Sequence, residues 1–151
     1  MIAALLAGLA AASDPGPDFN RFVGSCWIAA FSATTTDRHC FARVIGGTHV
    51  RDTHEVSESG RVVYSGETTY SLDGGGVVFT YFNSLGGVGH GVVTQAGEKL
   101  RFTGLMRASP DKPEQKIDSE WMLTEDGYDV RSLVGDASTR GNAVLHFTRA
   151  K

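Results

Sequence analysis

The sequence predicts an all-β protein, a closed antiparallel up-and-down barrel of about 8–10 strands. Three observations carry this. From Phe22 onward, short segments rich in Val, Phe, Tyr and Thr alternate with glycine-containing turns, the signature of strands punctuated by hairpins. No later segment sustains a helical period, and two of the four prolines fall in one loop, SPDKPEQ. Each segment can be joined to the next by a tight hairpin, whereas a sandwich needs some long connections between its sheets. Closure also removes the open edges that a strand-rich chain must otherwise protect.

The strands follow in order. Residues 24–32 place Trp27 and Phe31 on one side and Cys26 on the other. Residues 37–45 and 48–57 flank the turn IGGT, and SESGR leads into 61–72. SLDGGG joins that strand to 76–84, NSLGG joins 76–84 to 88–95, and TQAGE leads to 98–107. The proline loop precedes 115–124, TEDGY introduces 127–134, and 142–149 closes the set. Glycines inside strands, among them Gly66, Gly89, Gly91 and Gly104, suit the bends of a small barrel.

Hairpin arithmetic assigns faces. A two-residue Gly46-Gly47 loop pairs Arg43 with Val50, Phe41 with Asp52 and His39 with His54. The two histidines are then direct neighbours, with Cβ atoms about 4.5–5.5 Å apart. Their face also carries Phe41, Val50 and Val56, while Arg38, Arg51, Thr53 and Glu55 read as solvent-facing. A three-residue loop at Glu58-Ser59-Gly60 places Tyr64 opposite His54, with Val62, Thr68, Tyr70 and Leu72 on the same face. Continuing across the next turns brings in Val77, Phe79, Tyr81 and Asn83, then Val88, His90 and Val92. The expected interior has a polar band of His39, His54, Tyr64, Tyr81, Asn83 and His90. The far wall is apolar, with Leu100, Phe102, Met106, Ile117, Trp121 and Leu123. Cys26 and Cys40 share the outer parity, so a Cys26–Cys40 cross-strand disulfide turns Trp27 inward beside His39.

At 151 residues the chain fits one domain. A composition of 41% hydrophobic and 21% charged residues excludes disorder. A net charge of −3 without basic runs argues against nucleic acid. Residues 1–18 form an apolar, signal-peptide-like segment and linker ahead of a barrel domain at 19–151. Its run from Ile2 to Ala12 is too short to span a bilayer and ends in small residues, although no Lys or Arg precedes it. With two cysteines outside any CxxC spacing, this points to a periplasmic or secreted protein without stable membrane insertion.

For chemistry, His39 and His54 could serve a metal with Asp52, Asp37 or Tyr64, but two histidines on one strand face lack the ligand spacing of HExxH. Both are expected buried and neutral, bonded to Asp52 and Tyr64, with no metal and no cofactor. Neither GxSxG nor a Cys–His pair is present, because Cys40 faces away from His39. No catalytic residue is assigned; an alternative is a small barrel isomerase or cyclase using His54 with Asp52. His49 and His146 have outward parity. An apolar wall facing a few convergent polar groups matches a small-molecule site, and the small inward residues Gly66, Gly104 and Ala29 leave volume for it. The expected lining is Trp27, His39, Asp52, His54, Tyr64, Tyr81, Asn83, His90 and Trp121, around an apolar or amphiphilic ligand. A ligand-free structural or interaction module is the remaining reading.

The stretch FNRFVGSCW resembles the opening of lipocalin-like barrels, with Gly24 and Trp27 in a G-x-x-W spacing where G-x-W is commoner. Gly66 with Asp73, and Asn83, Ser84 and Gly86, resemble two turn motifs of an uncharacterised group of bacterial lipocalin-like (calycin-type) domains. The resemblance spans Phe19 to Lys151 and implies a closed antiparallel barrel with no established activity. Haem-binding barrels of the wider group hold iron through one inward histidine, a part that His54 or His90 could play, but no haem motif accompanies either.

Overall fold

The computed structural model describes residues 17–134 and 144–151. Ten strands make up the fold: β1 (Cys26–Ala30), β2 (Thr35–Val44), β3 (His49–Glu58), β4 (Arg61–Asp73), β5 (Gly76–Asn83), β6 (Val88–Ala96), β7 (Lys99–Arg107), β8 (Glu114–Leu123), β9 (Gly127–Ser132) and β10 (Leu145–Arg149). Each pairs antiparallel with its sequence neighbour, and β1 pairs with β10 to close the barrel. The expected strands are all present, shortened at some ends and extended by one or two residues at others, as where β2 begins at Thr35. Residues 142–143 of the last, and 1–16 of the signal-like segment, lie outside the described residues.

The β2–β3 hairpin has the expected register, with Arg43 against Val50, Phe41 against Asp52 and His39 against His54. Ile45, Gly46 and Gly47 all have positive φ, a conformation in which glycine meets no Cβ penalty. Cys26 pairs with Cys40 in the β1–β2 ladder, and the two are joined by a disulfide.

Two turns overturn expected registers. The β3–β4 connection is a two-residue loop, Ser59-Gly60, both at positive φ, and the register then shifts between Val56 and Ser57. This bulge puts Tyr64 opposite Val56 and Gly66 opposite His54, so Tyr64 keeps its inward face without facing His54 directly. It also leaves Val62 exposed. At β5–β6 the loop is longer, with Phe82 paired to Val88. Asn83 Oδ1 accepts bonds from the N–H groups of Leu85 and Gly87, at 2.9 Å each. The odd loop length reverses the parity of β6, because a one-residue slip exchanges the two faces. Gly89, Gly91 and Val93 therefore oppose Tyr81, Phe79 and Val77, and Val88, His90 and Val92 face outward. Leu72 and Phe31, expected inside, lie near the barrel ends and are exposed.

The lumen is a packed aromatic core. Phe22, Tyr128, Phe147 and Leu100 are fully buried, with Trp27, Phe41, Phe102 and Trp121 around them. Tyr128 stacks between Trp121 and Phe147, with centroids 4.8 and 4.9 Å away. Phe22 comes from the turn before β1 and plugs the base, meeting Trp27, Phe41, Trp121 and Tyr128. Polar straps hold the plug: Arg21 donates to the Thr124 carbonyl at 2.7 Å, and the Asp18 N–H donates to Gln95 Oε1 at 2.9 Å.

Candidate functional site

Along β2 and β3 the alternation of side chains turns Asp37, His39, Asp52 and His54 into the interior. Asp37 and Asp52 are buried to 7% and 2% exposure, where a carboxylate needs a partner. His39 supplies two contacts: Nδ1 lies 2.7 Å from Asp52 Oδ2, and Nε2 lies 3.3 Å from Asp37 Oδ2. His54 Nδ1 lies 3.3 Å from Asp37 Oδ1, and its Nε2 lies 3.3 Å from the Tyr81 hydroxyl. That hydroxyl is bonded in turn to the hydroxyl of Tyr64. The result is one continuous chain, Asp52–His39–Asp37–His54–Tyr81–Tyr64. The two imidazoles stack with centroids 4.8 Å apart.

Donor directions follow from the carboxylates, which only accept. His39 donates from both nitrogens, to Asp52 and to Asp37. His54 donates from Nδ1 to Asp37, its Nε2 is bonded to the Tyr81 hydroxyl, and that hydroxyl shares a further bond with Tyr64. Burial pushes the His39 imidazolium toward deprotonation, but the charge of Asp52, bonds to Asp37 and Asp52, and the charge of Asp37 outweigh it. They raise its pKa to about 10. His39 is therefore a buried cation, not the expected neutral ring. Burial likewise opposes the Asp37 charge, yet bonds from His39 and His54 and their charges bring its pKa down to about 2. Burial, together with the bond to Tyr64, raises the pKa of Tyr81.

Six of the nine residues expected to line a ligand site thus come together: His39, Asp52, His54, Tyr64 and Tyr81 in the chain, with Trp27 paired beside His39. Asn83 serves the β5–β6 turn and donates to the Ala108 carbonyl at 3.1 Å. Trp121 packs 4.6 Å from Phe102 in the aromatic core. His90 is exposed on the outer face. The pairing of His54 with Asp52 is replaced by His54 with Asp37 and His39 with Asp52. Gly66 accounts for the closeness of the group: a Cβ there would stand 2.4 Å from His54 Nε2 and 2.8 Å from the Tyr81 ring. The position that looked like spare volume is filled by its neighbours. His146 is outward as expected, bonded to Asp129 at 2.6 Å.

A cavity of about 660 Å³ lies at the base, where the turns joining β2–β3, β4–β5 and β6–β7 meet the plug. Phe19, Val50, Tyr70, Leu72 and Val77 line it, with Asp18, Asn20, Arg43 and Gln95 among its polar groups. Its lining includes neither tryptophan and none of His54, Tyr64, Tyr81 or His90. The sequence reading missed this cup because Phe19 was not placed against Tyr70, on which it stacks at 4.2 Å. Arg43 donates to the Gly47 carbonyl and to Asn20 Oδ1, both uncharged.

Compared with known proteins, the chain matches no family model and no curated sequence.

Proposed function

We propose that this protein is an exported, lipocalin-like carrier that binds a small, partly apolar ligand in the cup at the base of the barrel. The observation that carries the reading is the cup itself. Its volume falls in the usual range for small-molecule sites, roughly 300–1,000 Å³. Its floor is apolar, and its rim holds Arg43, whose hydrogen-bond partners are neutral. An apolar body against Phe19, Val50, Tyr70 and Val77 drives binding through the area it removes from water. A carboxylate or phosphate head on Arg43 supplies orientation through a charge-assisted bond. The Cys26–Cys40 bond supports export, since such bonds persist in oxidising compartments.

The test is titration with a fluorescent fatty acid and with its uncharged methyl ester. Both are expected to bind saturably. Arg43→Met should weaken the acid by about tenfold, a loss of roughly 1.4 kcal/mol, and leave the ester unchanged. Leu72→Glu, at an exposed position, should repel the acid selectively. Tyr64→Phe should alter neither, because Tyr64 lies outside the cup. Absence of saturable binding, or binding indifferent to Arg43 and Leu72, supports a ligand-free structural module instead.

A further inference from the structure

The cup does not use the buried chain in the other half of the barrel, and that chain has the make-up of a metal centre. The geometry points to Asp37, His39 and His54 as a site for one late first-row divalent cation, of which zinc is the representative. Among the described residues these three form the one group of His, Cys, Asp or Glu whose donor atoms all lie within 4.8 Å of one another.

The spacing is close to that of a coordination shell. Ligand atoms at about 2.0–2.1 Å from a tetrahedral ion stand roughly 3.3–3.4 Å from each other. The contacts His39 Nε2 to Asp37 Oδ2 and His54 Nδ1 to Asp37 Oδ1 are both 3.3 Å, one to each carboxylate oxygen, so the two imidazoles flank Asp37 and the three donor atoms close in from a span of at most 4.8 Å to hold an ion. The tight contact in the cluster is the outer one, His39 Nδ1 to Asp52 at 2.7 Å. That is the arrangement by which a carboxylate orients a ligating imidazole and raises its basicity. Here Asp52 holds His39 so that Nε2 faces Asp37 and His54.

Charge points the same way. Two carboxylates are buried here, and among the described residues their ion-pair partners are the two histidines alone, with no Lys or Arg. Among the described residues, Asp52 Oδ1 has no hydrogen-bond partner. A dication between neutral imidazoles balances Asp37 and Asp52 completely, which a buried cluster requires. The donor set, two imidazoles and a carboxylate, suits zinc and its neighbours over magnesium or calcium. Tyr81 meets the other nitrogen of His54, Nε2, at 3.3 Å, which holds the ring with Nδ1 toward Asp37.

The experiment loads the full chain, freed of metal by a chelator, with cobalt(II) and with zinc(II). Cobalt is expected to bind one ion per chain and show the visible absorption of a four-coordinate site, displaced by zinc. In the wild-type protein, zinc should move the imidazole nitrogen resonances of His39 and His54 and leave those of His49, His90 and His146 in place. Asp37→Asn and His54→Gln should abolish the cobalt bands. Asp52→Asn should weaken zinc by about 10–100-fold, and His146→Gln should change nothing. The inference is overturned if wild-type protein shows no cobalt bands, if zinc moves only the surface histidines, or if folded Asp37→Asn and His54→Gln bind as tightly as wild type. The resonance test needs no variant, so misfolding of a substituted chain does not leave the matter open.

Discussion

At the scale of single residues, His39 is the most consequential side chain, because burial and two carboxylates act on it in opposite directions. Its pKa of about 10 in the folded protein, against 6.5 for an ordinary histidine, makes stability depend on pH. Below pH 6.5 both folded and unfolded chains carry the proton, and the full contribution is present. Between 6.5 and about 10 the unfolded chain loses the proton while the folded one keeps it, so stability falls as pH rises. Asp37, lowered to about 2 from 3.8, sets the acid limit, its contribution being lost as pH falls from 3.8 through 2. For metal-free protein, denaturant titrations should show a plateau between about pH 4 and 6.5 and an alkaline decline of several kcal/mol. His39→Gln should flatten the alkaline decline. A wild-type stability that is level from pH 6 to 10 would contradict a protonated His39.

At the scale of elements, the first two hairpins show what turn chemistry decides. The β1–β2–β3 region is fastened by the Cys26–Cys40 bond, with a sequence separation of 14. A cross-link of that span restricts the unfolded chain by about 3 kcal/mol. The double replacement Cys26→Ala/Cys40→Ala should therefore lower the unfolding free energy in guanidinium by about 2–4 kcal/mol, with the far-ultraviolet spectrum unchanged. A loss under about 1 kcal/mol would mean that the denatured chain is already constrained there. The bulge beside Val56 has a different part: it brings Gly66 opposite His54, the position at which a side chain would collide with the imidazole. Register and composition agree there, since the residue facing His54 from β4 is the one without a Cβ.

At the scale of the whole molecule, the barrel is divided by its aromatic core. One half contains the ionic chain of Asp37, His39, Asp52 and His54; the other ends in the cup around Phe19 and Tyr70. Phe22 belongs to neither half and is fully buried between Trp27, Phe41, Trp121 and Tyr128. Phe22→Ala should cost about 3–5 kcal/mol, the range for deleting a buried ring that its surroundings cannot refill. It should also loosen the floor of the cup, since Phe19 sits in the same turn, with centroids 6.1 Å apart. Thermal unfolding followed by calorimetry measures the first effect. A change of less than about 1 kcal/mol would show that the plug is not part of the cooperative unit.

The sequence by itself determined the class of fold, the strand order, the His39–His54 pairing and the cysteine pairing. All of these rest on local periodicity and on a glycine turn whose length is readable. It did not determine which side of β6 faces inward, because the loop at Asn83 exceeds two residues and its parity depends on Asn83 Oδ1 accepting from the N–H groups of Leu85 and Gly87 within the turn. That is why His90 left the interior. Nor did it reveal that Asp37 joins both histidines, or that Phe22 and Trp121 fill the lumen and displace the cavity to the base. Those outcomes depend on closing ten strands into one barrel, which brings side chains far apart in sequence to the same depth, and only the tertiary structure decides which of them meet.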